Sequence, residues 1–124
     1  MKRTVYERDG IPFDGDSEFD SPKTIDTIAA SLRRHGHTVH LVEATADLPQ
    51  WFLTHRVDLA FNIAEGTHGP NRESQVPAIL ESLRVPFTGS SSVTLAIALD
   101  KAKTKQILSS EGIPTPRWQL FPTP

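Results

Sequence analysis

Three lysines stand on alternate residues in the last quarter of the chain, at Lys101, Lys103 and Lys105. On a helix, Lys101 and Lys105 share a face because they are four residues apart, whereas Lys103 points to roughly the opposite side. A lysine ammonium can hold a ligand phosphate as a point charge. Solvated lysines are nevertheless the commonest kind on helices, so spacing alone favours a surface role even for Lys101.

A second group of charged residues surrounds the glycine that follows the apolar run VDLAFNI. Glu65 stands between this run and Gly66, where its carboxylate could hold the ammonium group of a substrate and has no evident packing role. Arg72 and Glu73 lie at the start of the next predicted helix. For these two residues a structural explanation is favoured, because Glu73 suits a helix N-terminus and Arg72 would be solvated.

The elements that must position these residues alternate between strand and helix. Ser21 followed by Pro22 is typical of a helix start, and Gly36 is typical of a helix end. Repeated strand and helix with short connections predicts an α/β fold, namely a three-layer open parallel sheet of Rossmann-like or flavodoxin-like type with helices on both faces. Strands are predicted at 4–6, 37–44, 57–63 and 85–89, and helices at 22–35, 49–55, 73–83 and, in one or two pieces, 95–110.

Ligands of such sheets bind beyond the carboxyl ends of the strands. This rule selects the loops that follow Tyr6, Ile63 and Phe87, which are polar and contain glycine. Ordinary connections have the same composition, so each loop taken alone is as well explained by its connecting role.

Composition restricts the class of protein. The chain has 124 residues, 37% of them hydrophobic, which suits one soluble domain, and no apolar run is long enough to span a bilayer. The net charge is −2, with 13 basic and 15 acidic residues mixed along the chain, so neither nucleic acid nor a membrane is an expected partner. Cysteine is absent, and the start MKRTVYERDG lacks the apolar core of a signal peptide. A cytoplasmic location is therefore expected.

A signalling module and a histidine metal site are two alternatives that the sequence can be checked for. A receiver-type signalling module would need an aspartate where the third predicted strand ends, and this position holds Asn62. The spacing of His35, His37 and His40 does not place all three on one strand face, and His35 is better explained as a partner of the preceding helix C-terminus. A stand-alone small-molecule-binding module without catalysis stays open as an alternative.

Several short motifs follow one another in order over most of the chain. They are the apolar run that ends in a glycine loop, Gln75 and Leu80-Glu81 in the next helix, the segment 86–90, Asp100-Lys101 with Thr104-Lys105, and the segment 112–116. In this order and spacing they resemble the N-terminal, pre-ATP-grasp domain of the D-alanine–D-alanine ligase family of ATP-grasp enzymes. The upstream segment 18–39 is also similar to the first helix and second strand of that family.

The resemblance implies an ATP-dependent carboxylate–amine ligase that needs ATP and Mg²⁺. Such enzymes phosphorylate the carboxylate of one amino acid, and the amine of a second attacks the acyl phosphate to give a dipeptide, ADP and phosphate. The expected partners are amino-acid substrates, D-alanine or another, while a homodimer and a role in peptidoglycan synthesis are left open. Residues 1–116 are interpreted as the N-terminal domain and 117–124 as the start of a linker or strand into an ATP-grasp region that would hold the metal ligands. Without that region the chain is expected to be inactive.

The resemblance also assigns roles to the charged residues. The family's Asp-Lys-x-x-Ser/Thr-Lys helix carries a lysine that contacts ATP phosphate, and Lys101 matches it, which leaves Lys103 and Lys105 as surface or structural residues. Many D-alanine ligases have His-Gly where this chain has Glu65-Gly66. Glu65 is therefore interpreted as the residue that orients the substrate in place of this histidine. The predicted substrate-binding residues are Glu65, Arg72, Glu73 and Ser90.

Overall fold

The computed structural model describes residues 20–66 and 68–121. The chain divides into two compact units, one ending at Leu41 and the other beginning at Val42. In the described residues no helix has the length and apolarity needed to cross a membrane. The described helices are α1 (Pro22–Arg34) in the first unit, and α2 (Leu48–Thr54), α3 (Arg72–Ser82), α4 (Ser92–Leu99) and α5 (Lys101–Ser110) in the second.

Helix α1 begins and ends where the sequence predicts. The Ser21 side chain accepts a hydrogen bond from the Thr24 N–H at 3.2 Å, and Pro22 occupies the first helical position. These two residues form a regular N-terminus, because a serine cap satisfies one free N–H and proline has none to satisfy. Gly36 lies just beyond the helix with a φ of +87°. The predicted boundaries of α1 are therefore confirmed.

Among the described helices, α1, α3 and α5 end in a Schellman motif, in which one residue adopts the left-handed conformation and two N–H groups bond back to the last turn. This residue is Gly36 after α1 and Gly112 after α5, but it is Arg84, with a φ of +55°, after α3. A side chain in this conformation costs roughly 1–2 kcal/mol, so Arg84 is a strained position. The paired bonds run from Gly36 to Arg33 and His37 to Leu32, from Arg84 to Glu81 and Val85 to Leu80, and from Gly112 to Ser109 and Ile113 to Leu108.

The second unit is built around α3. This helix packs against α4, and α4 packs against α5. Ser74, Pro77 and Leu80 recur at a spacing of three residues and form the buried side of α3. Leu80 is only 1% exposed, and Leu48 at the start of α2 is also buried. The predicted helix at 73–83 is confirmed to within one residue at each end.

The predicted three-layer parallel sheet is wrong, because the described residues contain no β-strand. Between residues 20 and 121, leaving out residue 67, the pairing that the structure describes is one isolated parallel bridge between Ala60 and Phe87. Ala60 donates its N–H to the Pro86 carbonyl at 2.8 Å and accepts the Thr88 N–H at 3.0 Å. The segment 37–44, predicted as a strand, has no strand structure. The predicted strand at 4–6 and the loop after Tyr6 lie outside the described residues.

The exposure of the segment 57–63 explains why the prediction fails. A parallel strand is stable when neighbouring strands complete its ladder and helices cover both of its faces. Here Leu59, Phe61 and Ile63 are 55%, 49% and 38% exposed. The apolar composition of the run by itself predicts burial. It carries no information about which segments would pair with it or cover it.

Candidate functional site

The loop that carries Glu65 is tied down on both sides. Before it, the Asn62 side-chain oxygen accepts the Ala64 N–H at 3.2 Å. After it, the Gln75 side-chain amide, on α3, donates to the His68 carbonyl at 2.9 Å. Glu65 itself is half-buried. The carboxylate predicted to orient a substrate is therefore carried by a loop whose two ends are anchored.

Gly66 brings this loop against the first turn of α3. Its φ is +69°, and a Cβ atom built on it would overlap the Arg72 carbonyl. Glycine is thus needed twice, for the left-handed backbone and for the close approach. Because Gly66 follows Glu65 directly, the backbone of the predicted substrate-orienting residue lies beside the helix start that carries Arg72 and Glu73. We call the residues Glu65, Gly66, Arg72 and Glu73 the charged turn.

Within the charged turn, the Arg72 guanidinium lies 3.9 Å from the Glu73 carboxylate, and each side chain is 26% exposed. An ion pair this accessible contributes little to stability. Both groups are open enough to meet a ligand. A guanidinium can pair with a ligand carboxylate and a carboxylate with a ligand ammonium, so the charged turn combines the two kinds of group that recognise an amino acid.

A cleft of about 250 Å³ adjoins the charged turn. It lies between the start of α2 and one side of α3, and Gly66 belongs both to its wall and to the charged turn. Its lining is small and mostly apolar, which suits an aliphatic group better than a second charge. The lining residues are Ala44, Thr45, Ala46, Leu48, Pro49, Gly66, Gln75, Val76 and Ile79.

The loop after Phe87 is joined to the end of the segment that precedes Glu65. The Asn62 N–H donates to the Thr88 hydroxyl oxygen at 3.0 Å, so the carboxyl ends of the two extended segments lie side by side. Ser90 is exposed two residues further along the chain. This arrangement places Ser90 on a segment adjacent to that of Glu65, while a role in substrate binding stays a prediction.

Glu81 has a structural role that sequence reasoning missed. Its two carboxylate oxygens accept the Ser92 N–H at 3.0 Å and the Ser92 hydroxyl at 2.6 Å. These hydrogen bonds, first from the side chain and then from the backbone of Ser92, hold the pKa of Glu81 below its usual value. Ser92 is the first residue of α4, so Glu81 joins α3 to the start of α4. No local pattern indicates a contact between residues eleven positions apart.

The lysines of α5 have different surroundings. Lys105 is half-buried, and its ammonium donates to the Thr115 hydroxyl at 2.9 Å and to the Pro116 carbonyl at 3.3 Å. These bonds agree with the structural role predicted for Lys105. Lys101 and Lys103 are exposed. Lys101 lies in the first turn of α5, on a different helix from Arg72 and Glu73, and forms a separate candidate position.

The described histidines and acids form no metal site. Across residues 20–66 and 68–121 no cluster of three such side chains could hold a metal ion. The His35 ring nitrogen instead lies 2.8 Å from the Ser31 carbonyl in the last turn of α1, the role expected from its position.

Comparison with known proteins finds similar enzymes. The D-alanine–D-alanine ligase of Aquifex aeolicus is 37% identical over 101 residues, which cover 82% of this chain and 34% of that enzyme. Over this span the chain is similar to D-alanine–D-alanine ligases. The same enzyme from Carboxydothermus hydrogenoformans is 32% identical over 101 residues, covering 82% of this chain and 32% of the relative. The resemblance seen in the motifs is thus confirmed.

The similarity extends only over part of these ligases. The chain spans about a third of the length of the curated relatives it matches. An uncharacterized protein of Sinorhizobium fredii is 34% identical over 104 residues, covering 77% of this chain and 31% of that protein. No protein-family model matches the chain, and no solved structure matches it.

Proposed function

We propose that the chain is part of an ATP-dependent ligase that joins the carboxylate of one amino acid to the amine of another. The observation that carries this proposal is the similarity to D-alanine–D-alanine ligases over 82% of the chain. The charged turn supports it, because its groups suit a zwitterionic substrate. The exposed Lys101 also supports it, because an ammonium on the first turn of a helix suits a phosphate.

In this reaction a phosphoryl group passes from ATP to a substrate carboxylate, and the incoming amine then forms the peptide bond as phosphate leaves. The negative charge on the phosphates must be held by positioned cations. We assign Lys101 to this role on the nucleotide side. ATP with Mg²⁺ is the proposed phosphoryl donor of the whole protein, to which the described residues contribute a phosphate contact rather than a metal site. Dependence on ATP favours a cytoplasmic location.

On the amino-acid side we assign Glu65 to the substrate ammonium, with Arg72 and Glu73 lining the same pocket and Ser90 supplying a hydroxyl. The substrate is D-alanine or another amino acid. The motif resemblance matches Glu65 to a position where many D-alanine ligases have histidine, so a substrate other than D-alanine is included in the proposal. The fixed loop around Gly66 supports this assignment, because orientation of a reacting group requires a rigid support.

The nucleotide role is tested by Lys101→Ala in the complete gene product, with Lys103→Ala as the matched control. Both lysines are exposed and lie on the same helix. ADP release is measured with Mg-ATP and a panel of amino acids that begins with D-alanine. Loss of a charged contact predicts a rise of about tenfold or more in the KM for ATP with Lys101→Ala, and less than about twofold with Lys103→Ala.

The outcomes separate the hypotheses. Equal ATP kinetics in the two lysine variants would reject Lys101 as the nucleotide lysine. If no amino acid supports ADP release but ATP or an amino acid binds measurably, the ligase hypothesis is rejected in favour of a binding module without catalysis. Absence of both activity and binding would reject the proposal altogether.

The substrate role is tested by Glu65→Gln, which keeps the shape of the side chain and removes its charge. The exposed Glu43 provides the control variant Glu43→Gln. Loss of one charged contact predicts a rise of about tenfold in the KM for the amino acid, with the KM for ATP unchanged. Amino-acid kinetics of Glu65→Gln that match those of Glu43→Gln would remove Glu65 from the site.

A further inference from the structure

A single residue separates the helix that carries Lys101 from the one before it. Helix α4 ends at Leu99 and α5 begins at Lys101, so Asp100 closes one helix and starts the next, with φ −84° and ψ 92°. A helix that ends leaves the carbonyls of its last turn without N–H partners. The Ile97 carbonyl belongs to this last turn.

The Thr104 side chain bonds across this break. Its hydroxyl oxygen lies 2.6 Å from the Ile97 carbonyl of α4 and 3.0 Å from the Asp100 carbonyl. A hydroxyl has one proton to donate, and the shorter distance favours Ile97 as the acceptor. The donor of this hydrogen bond is in α5 and its acceptor is in α4. It therefore restricts how α5 rotates and tilts relative to α4.

Two further contacts hold α5 in place. The Asp100 carboxylate accepts the Lys103 N–H at 2.9 Å and caps the helix start. Toward the other end, Lys105 bonds to Thr115 and Pro116 in the segment that follows α5. Lys101 and Lys105 share a helix face, and Lys105 is engaged with these two neutral oxygen acceptors. Lys101 is left exposed on a helix whose position is fixed at both ends.

From these contacts we infer that Thr104 is a positioning residue for Lys101. In the pattern Asp100-Lys101-x-x-Thr104-Lys105, three residues form structural bonds and the fourth presents its ammonium to solvent. Thr104 acts through Lys101 because its hydroxyl sets the direction of the helix turn that carries the lysine. This inference rests on the proposed contact between Lys101 and the nucleotide phosphate.

The test compares Thr104→Val, which keeps the shape of the side chain and loses the hydroxyl, with Thr104→Ser, which keeps the hydroxyl. Affinity for Mg-ATP is measured by calorimetry on the complete gene product. Loss of one hydrogen bond predicts affinity about fivefold weaker for Thr104→Val, and within about twofold of the parent for Thr104→Ser.

A double-mutant cycle with Lys101→Ala distinguishes positioning from a general structural effect. If Thr104 acts through Lys101, Thr104→Val should cause no further loss of ATP affinity once Lys101 has been removed. An equal loss in both backgrounds would overturn the inference, as would parent-like affinity of Thr104→Val. If Thr104→Val does not fold, Thr104→Ala, which favours helix, takes its place in the cycle.

The same cycle separates failure of the inference from failure of the proposed function. Parent-like ATP affinity in Lys101→Ala alone would reject the nucleotide role of Lys101, and the inference would fall with it. Weakened affinity in Lys101→Ala together with an unchanged Thr104→Val would reject the inference alone.

Discussion

The variant Arg84→Gly should be more stable than the variant Arg84→Ala. Arg84 closes the Schellman motif after α3 with a φ of +55°, and its N–H donates to the Glu81 carbonyl at 3.1 Å. A residue with a Cβ atom costs roughly 1–2 kcal/mol in this conformation. Glycine removes that strain, but it also gives the unfolded chain more backbone entropy, which lowers the free energy of unfolding by about 0.5–1 kcal/mol. The difference predicts a net gain of about 0.8 kcal/mol, at the middle of a range of about 0–1.5 kcal/mol.

The reference for this measurement is Arg84→Ala rather than the parent. Alanine removes the same charge from the helix C-terminus, where a cation is favourable, and it retains the strain. The free energy of unfolding is measured by urea titration of both variants. The reverse change, Gly112→Ala, places a Cβ in the equivalent position after α5, where φ is +70°, and should lower stability by a similar amount. If Arg84→Gly is no more stable than Arg84→Ala, the strain argument is wrong.

Two further predictions concern Gly66 and Glu81. Gly66→Ala should destabilise the protein by about 2–4 kcal/mol in urea unfolding, because the overlap with α3 adds to the backbone strain. Gly69→Ala, with φ +85° and open space around it, should lower stability only by an amount similar to Gly112→Ala. Equal losses in Gly66→Ala and Gly69→Ala would contradict the close approach. Ser92→Ala should raise the pKa of Glu81 toward its usual value in a carboxyl NMR titration, and Ser90→Ala should not. Because the folded-state pKa of Glu81 lies below its unfolded value of 4.5, its contribution to stability is present above that pH and is lost as pH falls through the folded-state pKa. An unchanged pKa in Ser92→Ala would show that other groups lower it.

The boundaries of α1 could be predicted because the signals that set them are local. Ser21 caps an N–H three residues away, and the bonds around Gly36 span three to five residues. The parallel sheet could not be predicted in the same way. Ala60 pairs with Phe87, which is distant from it in the sequence, so no local pattern indicates this contact. The composition of the run 57–63 is also the same whether or not neighbouring segments cover it.

In the candidate site, too, local features could be predicted from the sequence and contacts between distant residues could not. The sequence placed Glu65 and Arg72 on either side of one short loop, and the approach of Gly66 to Arg72 brings their backbones together. Two hydrogen bonds depend instead on tertiary structure. Ser92 donates to Glu81 because α3 packs against α4, and Lys105 donates to Thr115 because the chain folds back after α5. Such contacts have no signature in the spacing of residues, so only the structure shows which charged side chains are already engaged.

The one-residue joint at Asp100 has a consequence for how this chain can vary in length. Each residue advances a helix by about 100°, so one added residue at this joint would turn the whole of α5 about its axis. The Lys101 side chain would then be rotated by about 100° around the helix axis. Thr104 would face away from the last turn of α4. The exposed residues 68–71 precede α3 outside any helix, so a change in their number does not turn a helix about its axis. We therefore expect homologous chains to differ by insertions and deletions in that loop while keeping the number of residues between α4 and α5 fixed.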